Sequence, residues 1–248
     1  MEAPHNVIWL LINVAEASDR LRDAQSQLKE QDFSWQRLDA VTPKSDDFVY
    51  EKSKTKWYRD LTDGEIACYL SHRKAWRQAI DSKADYLVVL EDDLIVQLPL
   101  KKVVDELIET DLSWDMIKLF ETRKQRSVVR SLNHDFDIVD TPTVPIATTG
   151  YIIKVSCLAK LLDSTSRFTR PIDVELKSYW ELNLKIFSVY PPPIRISEDN
   201  NSTIRVRQGD LSPFQRLKKI KYNFFSSLRG RLGSVSYTHL TLPTNREV

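Results

Sequence analysis

The stretch Tyr86-Leu87-Val88-Val89-Leu90-Glu91-Asp92-Asp93 leaves this chain few folds to choose from. Five apolar residues in a row, without alternation, must be buried on both faces. That pattern suits a central strand of a parallel sheet covered by helices. In open α/β sheets, ligands bind outside the carboxyl ends of the strands. Here that end carries three acids. Residues i and i+2 of an extended chain point the same way, so Glu91 and Asp93 are expected on one side and Asp92 on the other. Hard carboxylate oxygens suit Mg or Mn, and Mg typically binds through a carboxylate or two plus substrate phosphates. The stretch predicts a metal–diphosphate site at a strand end. The plainer alternative is a solvated acidic turn after a core strand.

The 248 residues allow one α/β domain with a tail, and 42% apolar content supplies a real core. The formal net charge of +1 gives no overall basic field, so nucleic acid is not an expected partner. Cys68 and Cys157 offer neither a disulfide framework nor zinc spacing, and read as buried free thiols in a reducing compartment. The N-terminus lacks the basic region of a signal peptide. The apolar run from Val7 to Val14 falls short of the ~20 residues a bilayer span needs. A cytoplasmic location is expected, with the tail as the possible link to a membrane. Val235 to Thr244 resembles the translation of a sequencing adapter. The expected layout is a domain over 1–212, a basic tail over 213–233 and extraneous residues over 234–248, with the native C-terminus missing.

In chain order, Asn6 to Val14 predicts a first buried strand, with Asn13 near the end where a nucleotide base can be met. Ser18 reads as the N-cap of a helix over Asp19 to Gln31, with Leu21 and Leu28 inward. Arg20 lies in its first turn, where a cation opposes the helix dipole and invites a phosphate or carboxylate partner. Phe33 to Leu38 reads as a second strand. Lys44 to Asp60 reads as a mobile loop anchored by Tyr50, Trp57 and Tyr58. Thr62-Asp63-Gly64-Glu65 has capping-box spacing and opens a helix to about Ile80. Glu65, Cys68 and His72 share one face of it, so His72 either points toward the acids or is a satisfied packing residue. Leu100 to Glu109 reads as a helix and Trp114 to Phe120 as a strand. Glu121 to Asp137 reads as a polar excursion, and the proline-containing 138–147 as an edge segment. Gly150 permits close backbone approach to a ligand. Ser156 is expected to cap a short helix, Asp173 to sit at the head of a helical stretch reaching Leu184, and Lys185 to Tyr190 to form a last strand. From Pro213, Phe214, Leu217, Ile220, Phe224, Phe225 and Leu228 interleave with Lys and Arg and no acids. That reads as a basic amphipathic segment for an anionic membrane surface, or as a cationic helix docked on the domain.

Taken together, Leu11-Ile12-Asn13 with Asp19-Arg20, Gly64-Glu65-Ile66-Ala67-Cys68 with Leu70-Ser71-His72 and Trp76, Val89-Leu90-Glu91-Asp92-Asp93, Thr149-Gly150-Tyr151-Ile152-Ile153 and Pro171-Ile172-Asp173 form an ordered set. The set resembles glycosyltransferase family 25, the lipooligosaccharide (LPS) galactosyltransferase family that also includes the collagen galactosyltransferases. The resemblance covers roughly residues 6 to 205. Val14-Ala15-Glu16-Ala17 departs from the usual Leu-Asp-Arg-Ser, and Ala67 stands where glycine is usual. The resemblance implies a GT-A-type, Rossmann-like fold with a mostly parallel central sheet flanked by helices. It implies a UDP-sugar donor, inversion at the anomeric carbon and a lipid-linked LPS-core acceptor met at the inner face of the inner membrane. It also implies that Glu91 and Asp93 hold Mn2+ (or Mg2+) on the diphosphate. Asn13, Arg20, His72, Asp92, Thr149 and Gly150 would then contact or shape the donor site. An inverting transfer needs a base to deprotonate the acceptor hydroxyl, and Asp173 is the first candidate, Glu175 the second. The competing expectation is a catalytically silent glycan- or membrane-binding module on the same scaffold. A nucleotidyltransferase shares the metal–phosphate logic but releases pyrophosphate.

Overall fold

The structure is a computed structural model describing residues 5–53, 57–132, 136–141, 144–145, 147–197, 212 and 214–223. The first half of the chain runs β1 (Val7–Asn13), α1 (Ser18–Leu28), β2 (Gln36–Asp39), β3 (Glu51–Lys52), α2 (Asp63–Asp81), β4 (Tyr86–Glu91), β5 (Leu94–Val96) and α3 (Leu100–Glu109). The second half runs β6 (Met116–Lys118), β7 (Ser127–Ser131), β8 (Asp137–Asp140), β9 (Gly150–Lys154), α4 (Leu158–Ser164), β10 (Arg167–Phe168), α5 (Ile172–Lys177), α6 (Tyr179–Leu182), β11 (Ile186–Tyr190) and β12 (Ile194–Ile196). Residues 214–223 are helical.

Eight strands form the main sheet in the order β2-β1-β4-β9-β6-β11-β8-β7. The pairs β2–β1, β1–β4 and β6–β11 are parallel. The sheet is nonetheless mixed, because β9 enters antiparallel to both β4 and β6, and β8 antiparallel to β11. The expected mostly parallel sheet is thus interrupted by β9 and β8, which run against their neighbours. The organising strand is central, as its unbroken apolar run requires. Its side chains alternate between two cores. Leu87 and Val89 join Ile8, Leu10 and Ile12 beneath Tyr69, Leu70 and Trp76 of α2. Val88 and Leu90 join Trp9 and Leu11 beneath Ala24 and Leu28 of α1 and Val103, Val104 and Leu107 of α3. Helices thus cover both faces of the strands that matter for the site.

Several local expectations change. Ser18 is the first residue of α1, whose N-cap is Ala17 with no side-chain cap bond. Ser156 lies inside a short 3-10 turn, and α4 starts without a side-chain cap. The polar excursion contains β7, all of it exposed, so β8 lies second from the edge rather than at it. The stretch read as one helix to Leu184 is two, because the chain breaks at Ser178 and ends α6 on Asn183 in the left-handed region. Part of the expected mobile loop is fixed: β3 pairs with β10, and Tyr50 packs on Phe168. The capping box of α2 forms as expected. Glu65 N donates to Thr62 Oγ1 at 3.2 Å, and Thr62 N donates to Glu65 Oε2 at 2.9 Å. The supposed adapter residues lie outside the described ones.

Candidate functional site

The site forms where the carboxyl ends of β1 and β4 meet the start of β9, which the antiparallel pairing brings to the same edge. Glu91 ends β4 on the α2 side. Its backbone N donates to Thr149 O at 2.9 Å, and its Oε1 lies 3.0 Å from His72 Nε2. His72 is 1% exposed, and its Nδ1 lies 3.0 Å from the Tyr151 hydroxyl, which also accepts from Trp76 Nε1 at 2.9 Å. The histidine is therefore held from both ring nitrogens and cannot turn away from Glu91. Burial opposes ionisation of Glu91, but the His72 bond and charge, with Thr148 and Lys118, hold its carboxyl below the ordinary range.

Asp92 turns to the other side. Asn13 Nδ2 donates to its Oδ2 at 2.6 Å, and Arg20 Nη1 lies 3.4 Å from its Oδ1. The buried Asn13 also donates to Ala17 O and accepts from Arg37 Nε at 3.1 Å. Asn13 therefore fixes the β4 turn rather than presenting a free amide. The special partner expected for Arg20 is the Asp92 carboxylate. Burial raises the Asp92 pKa, and Asn13 and Arg20 counter it.

Asp93 is the least satisfied acid. Its Oδ1 is buried and has no hydrogen-bond partner among the described residues. Burial, then the charges of Glu91 and Asp92, push its pKa up to about 7. This has a consequence for stability. Between the unfolded value of ~3.9 and about 7, the folded chain holds a proton that the unfolded chain releases. Stability is then full at the acid end of that window and falls as pH rises through it, by a few kcal/mol at most from this group, to order of magnitude. Metal-free protein is expected to melt at a lower temperature near pH ~8 than near pH ~5.5, and added Mn2+ to restore more at the higher pH. A melting series with and without the ion checks both signs.

Beneath the acids lies Lys118, 1% exposed, which donates to Ala147 O. Burial lowers its pKa to about 8, against the pull of Asp173, Glu91 and Glu121. Asp173, at the head of α5, accepts from Val174 N at 2.8 Å. Burial raises its pKa, the Val174 amide and Lys118 lower it, and Glu91 and Glu65 raise it further. Glu175 has a different setting. Arg170 Nε donates to its Oε2 at 3.1 Å, and Arg170 Nη2 to its Oε1, in a buried pair that also reaches Glu181. Glu175 is thus occupied as a counter-ion to Arg170, which leaves Asp173 the freer of the two candidate bases. Gly150 also has a packing reason: a Cβ there would meet Ile194 Cδ1 and Leu90 Cδ2, so core side chains fill the space read as room for a ligand. Thr149 is 2% exposed and acts through its backbone on Glu91.

Cys68, His72 and Glu91 bring their ligand atoms within 4.8 Å of one another. Burial, then the charges of Glu91, Asp173 and Asp93, hold the Cys68 thiol well above its ordinary pKa, which makes it a poor ligand. The harder donors are Glu91 and Asp93. Three adjacent carboxylates, with a buried Asp93 oxygen that has no partner among the described residues, fit a divalent cation. The cavity they line is about 150 Å³ and reaches Val14, Ala40 and Val41 at the end of β1 and beyond β2. Lys118 escaped the sequence reading, as did the bracing role of Tyr151 and Trp76, which the motif set contained without assigning them to the site. The signal for Lys118 was present: a lysine inside the apolar run Met116-Ile117-Lys118-Leu119-Phe120.

The site is therefore an acidic strand end over a mixed α/β sheet, lined by carboxylates, His72 and Arg20. The family description "Glycosyltransferase family 25 (LPS biosynthesis protein)" matches residues 7–176. The chain belongs to glycosyltransferase family 25. It is 27% identical over 211 residues to "Procollagen galactosyltransferase 2" of Homo sapiens, covering 73% of this chain and 33% of that protein. It is 24% identical over 184 residues to a "Putative glycosyltransferase" of Haemophilus influenzae, covering 71% and 62%. It is also 27% identical over 154 residues to "Probable inactive glycosyltransferase 25 family member 3" of Bos taurus, covering 54% and 25%. The chain spans about a third of the length of the procollagen galactosyltransferases 2 to which it is similar.

Proposed function

We propose that the chain transfers a hexose, galactose first among candidates, from a UDP-sugar to a saccharide acceptor of the LPS-core type, with inversion. The observation that carries this reading is the Glu91-Asp92-Asp93 strand end with the unpaired Asp93 Oδ1. The names of the procollagen relatives support galactose, and the family description supports an LPS acceptor. Glu91 and Asp93 would hold Mn2+ or Mg2+ against the diphosphate. The ion, when bound, supplies Lewis-acid neutralisation of the charge that develops on the departing UDP.

The chain's own residues do the rest. His72, braced by Tyr151 and Trp76, keeps Glu91 in place and ionised. Asn13 and Arg20 hold Asp92 and so fix the turn that carries Asp93. Asp173 accepts the proton of the acceptor hydroxyl, and its burial-raised pKa brings its basicity nearer to neutral pH. The Lys118 charge opposes that rise. A small cavity at the acids suits the ion and the diphosphate, with the nucleoside extending over Val14, Ala40 and Val41. A silent glycan-binding module is the competing reading, favoured by the name of the bovine relative. Loss of transfer in Asp93→Asn, set against unchanged glycan binding, separates the two.

The tail belongs to the same proposal. Helix 214–223 docks through Tyr222, whose ring meets Trp57 edge-on at 4.6 Å and whose hydroxyl lies 3.4 Å from Arg170 Nη1. Phe214, Leu217 and Ile220 stay exposed at 66, 51 and 66%, with Arg216, Lys218 and Lys221 exposed around them. One face thus docks on the domain, and to the other, apolar and basic, we assign contact with an anionic membrane surface. No helix among the described residues is long and apolar enough to cross a membrane. Leu217→Asp is expected to lower flotation with anionic vesicles about tenfold, on the order of 1–2 kcal/mol of lost burial. Equal flotation of wild type with neutral and anionic vesicles removes the membrane assignment.

A further inference from the structure

A second cleft, of about 390 Å³, lies across Val41 from the acidic site, and Val41 lines both. Four cations line it: Arg73, Lys74 and Arg77 from α2 and Arg167 from β10. Its two carboxylates are already taken. Lys74 Nζ lies 3.3 Å from Asp47 Oδ2, and Arg167 Nε lies 2.6 Å from Glu51 Oε2. Arg73 and Arg77 have no carboxylate partner among the described residues. Arg73 is only 7% exposed, and its Nη1 donates to the neutral Leu162 O at 2.8 Å and Thr165 Oγ1 at 2.5 Å. A buried charge without a counter-ion is costly, and a like charge one turn along the helix adds repulsion. Burial and Arg77 together pull the Arg73 pKa down, as that description requires. Two guanidinium groups one turn apart at a concave surface, lacking an acid of their own, are suited to an external oxyanion. The exposed Val49 and half-buried Tyr50 give the same cleft an apolar flank.

We propose that this cleft binds the phosphate group of a phosphorylated sugar, with Arg73 and Arg77 as the anion's partners and Tyr50 and Val49 against the sugar ring. Its volume lies in the range that holds small ligands. Phosphate binding stands on these residues alone. Assigning the phosphosugar to the acceptor, reaching over Val41 to the acids, rests on the transferase reading above.

The test is calorimetric titration of hexose 6-phosphate, the parent hexose and inorganic phosphate at physiological salt, alongside UDP with Mn2+. Wild type is expected to bind hexose 6-phosphate at least about tenfold more tightly than either of the other two. Arg77→Gln replaces an exposed side chain and relieves its repulsion of Arg73, so melting should not fall while that binding weakens about tenfold. UDP–Mn binding should not change. Binding of the three probes with equal strength overturns the proposal, as does binding that Arg77→Gln leaves untouched. Hexose phosphate binding in a protein that fails to bind UDP with Mn2+ would keep the anion cleft and remove the transferase reading.

Discussion

Asp93→Asn is expected to cut sugar transfer by about three orders of magnitude or more, because charge neutralisation at a leaving phosphate is worth several kcal/mol. The same change should raise the melting temperature of metal-free protein near pH ~8, since it removes a buried carboxylate that burial, Glu91 and Asp92 all disfavour as an ion. Loss of activity with gain of stability is the signature of a group kept for function rather than for folding. A merely structural acid would lose both. Activity assays paired with thermal melts on one preparation read the two signs.

Asp173→Asn and Glu175→Gln, two residues apart, should fail differently. Removing the Asp173 carboxylate leaves an isosteric side chain that cannot take the acceptor proton, so kcat should fall by roughly 10²–10⁴ while UDP–Mn affinity holds. Glu175→Gln instead strips a buried arginine of its closest counter-ion, with Glu181 at 2.9 Å as the remaining one. Its expected cost is on the order of 3 kcal/mol of stability, with kcat of the folded fraction nearly unchanged. Urea denaturation and steady-state kinetics on both variants distinguish these outcomes. Equal kcat losses in the two would remove Asp173 from its role as base.

The contrast between these two acids marks the limit of what the sequence carried. Their spacing along the chain is all that a sequence displays, and either one suits a base. Only the fold places Arg170 around Glu175 and Lys118 near Asp173. The same holds for Tyr151 and Trp76, which brace His72 because β9 pairs beside β4 and α2 lies over both. Local signals were dependable where one stretch decided its own fate. The apolar run of β4, the Thr62 capping box and the helical spacing of α3 all formed as their residues dictate. Serines were a weaker guide, since Ser18 and Ser156 compete poorly with a chain direction set by packing. β7 was illegible for a physical reason: its residues are all exposed, and pairing with β8 rather than burial makes it a strand. The direction of β9 is likewise a property of topology, and it sets antiparallel pairs within the expected mostly parallel sheet.

If Glu91 and Asp93 hold a divalent ion against the diphosphate of a sugar nucleotide, turnover must need both the ion and Asp93. Release of UDP from a panel of UDP-sugars, with Mn2+ and with chelator, in wild type and Asp93→Asn, tests it most directly. The account predicts release from one UDP-sugar, UDP-galactose first, that chelator abolishes and that Asp93→Asn lacks. Release that persists in chelator and in Asp93→Asn, or a wild-type protein that neither turns over nor binds any UDP-sugar with Mn2+, would contradict it.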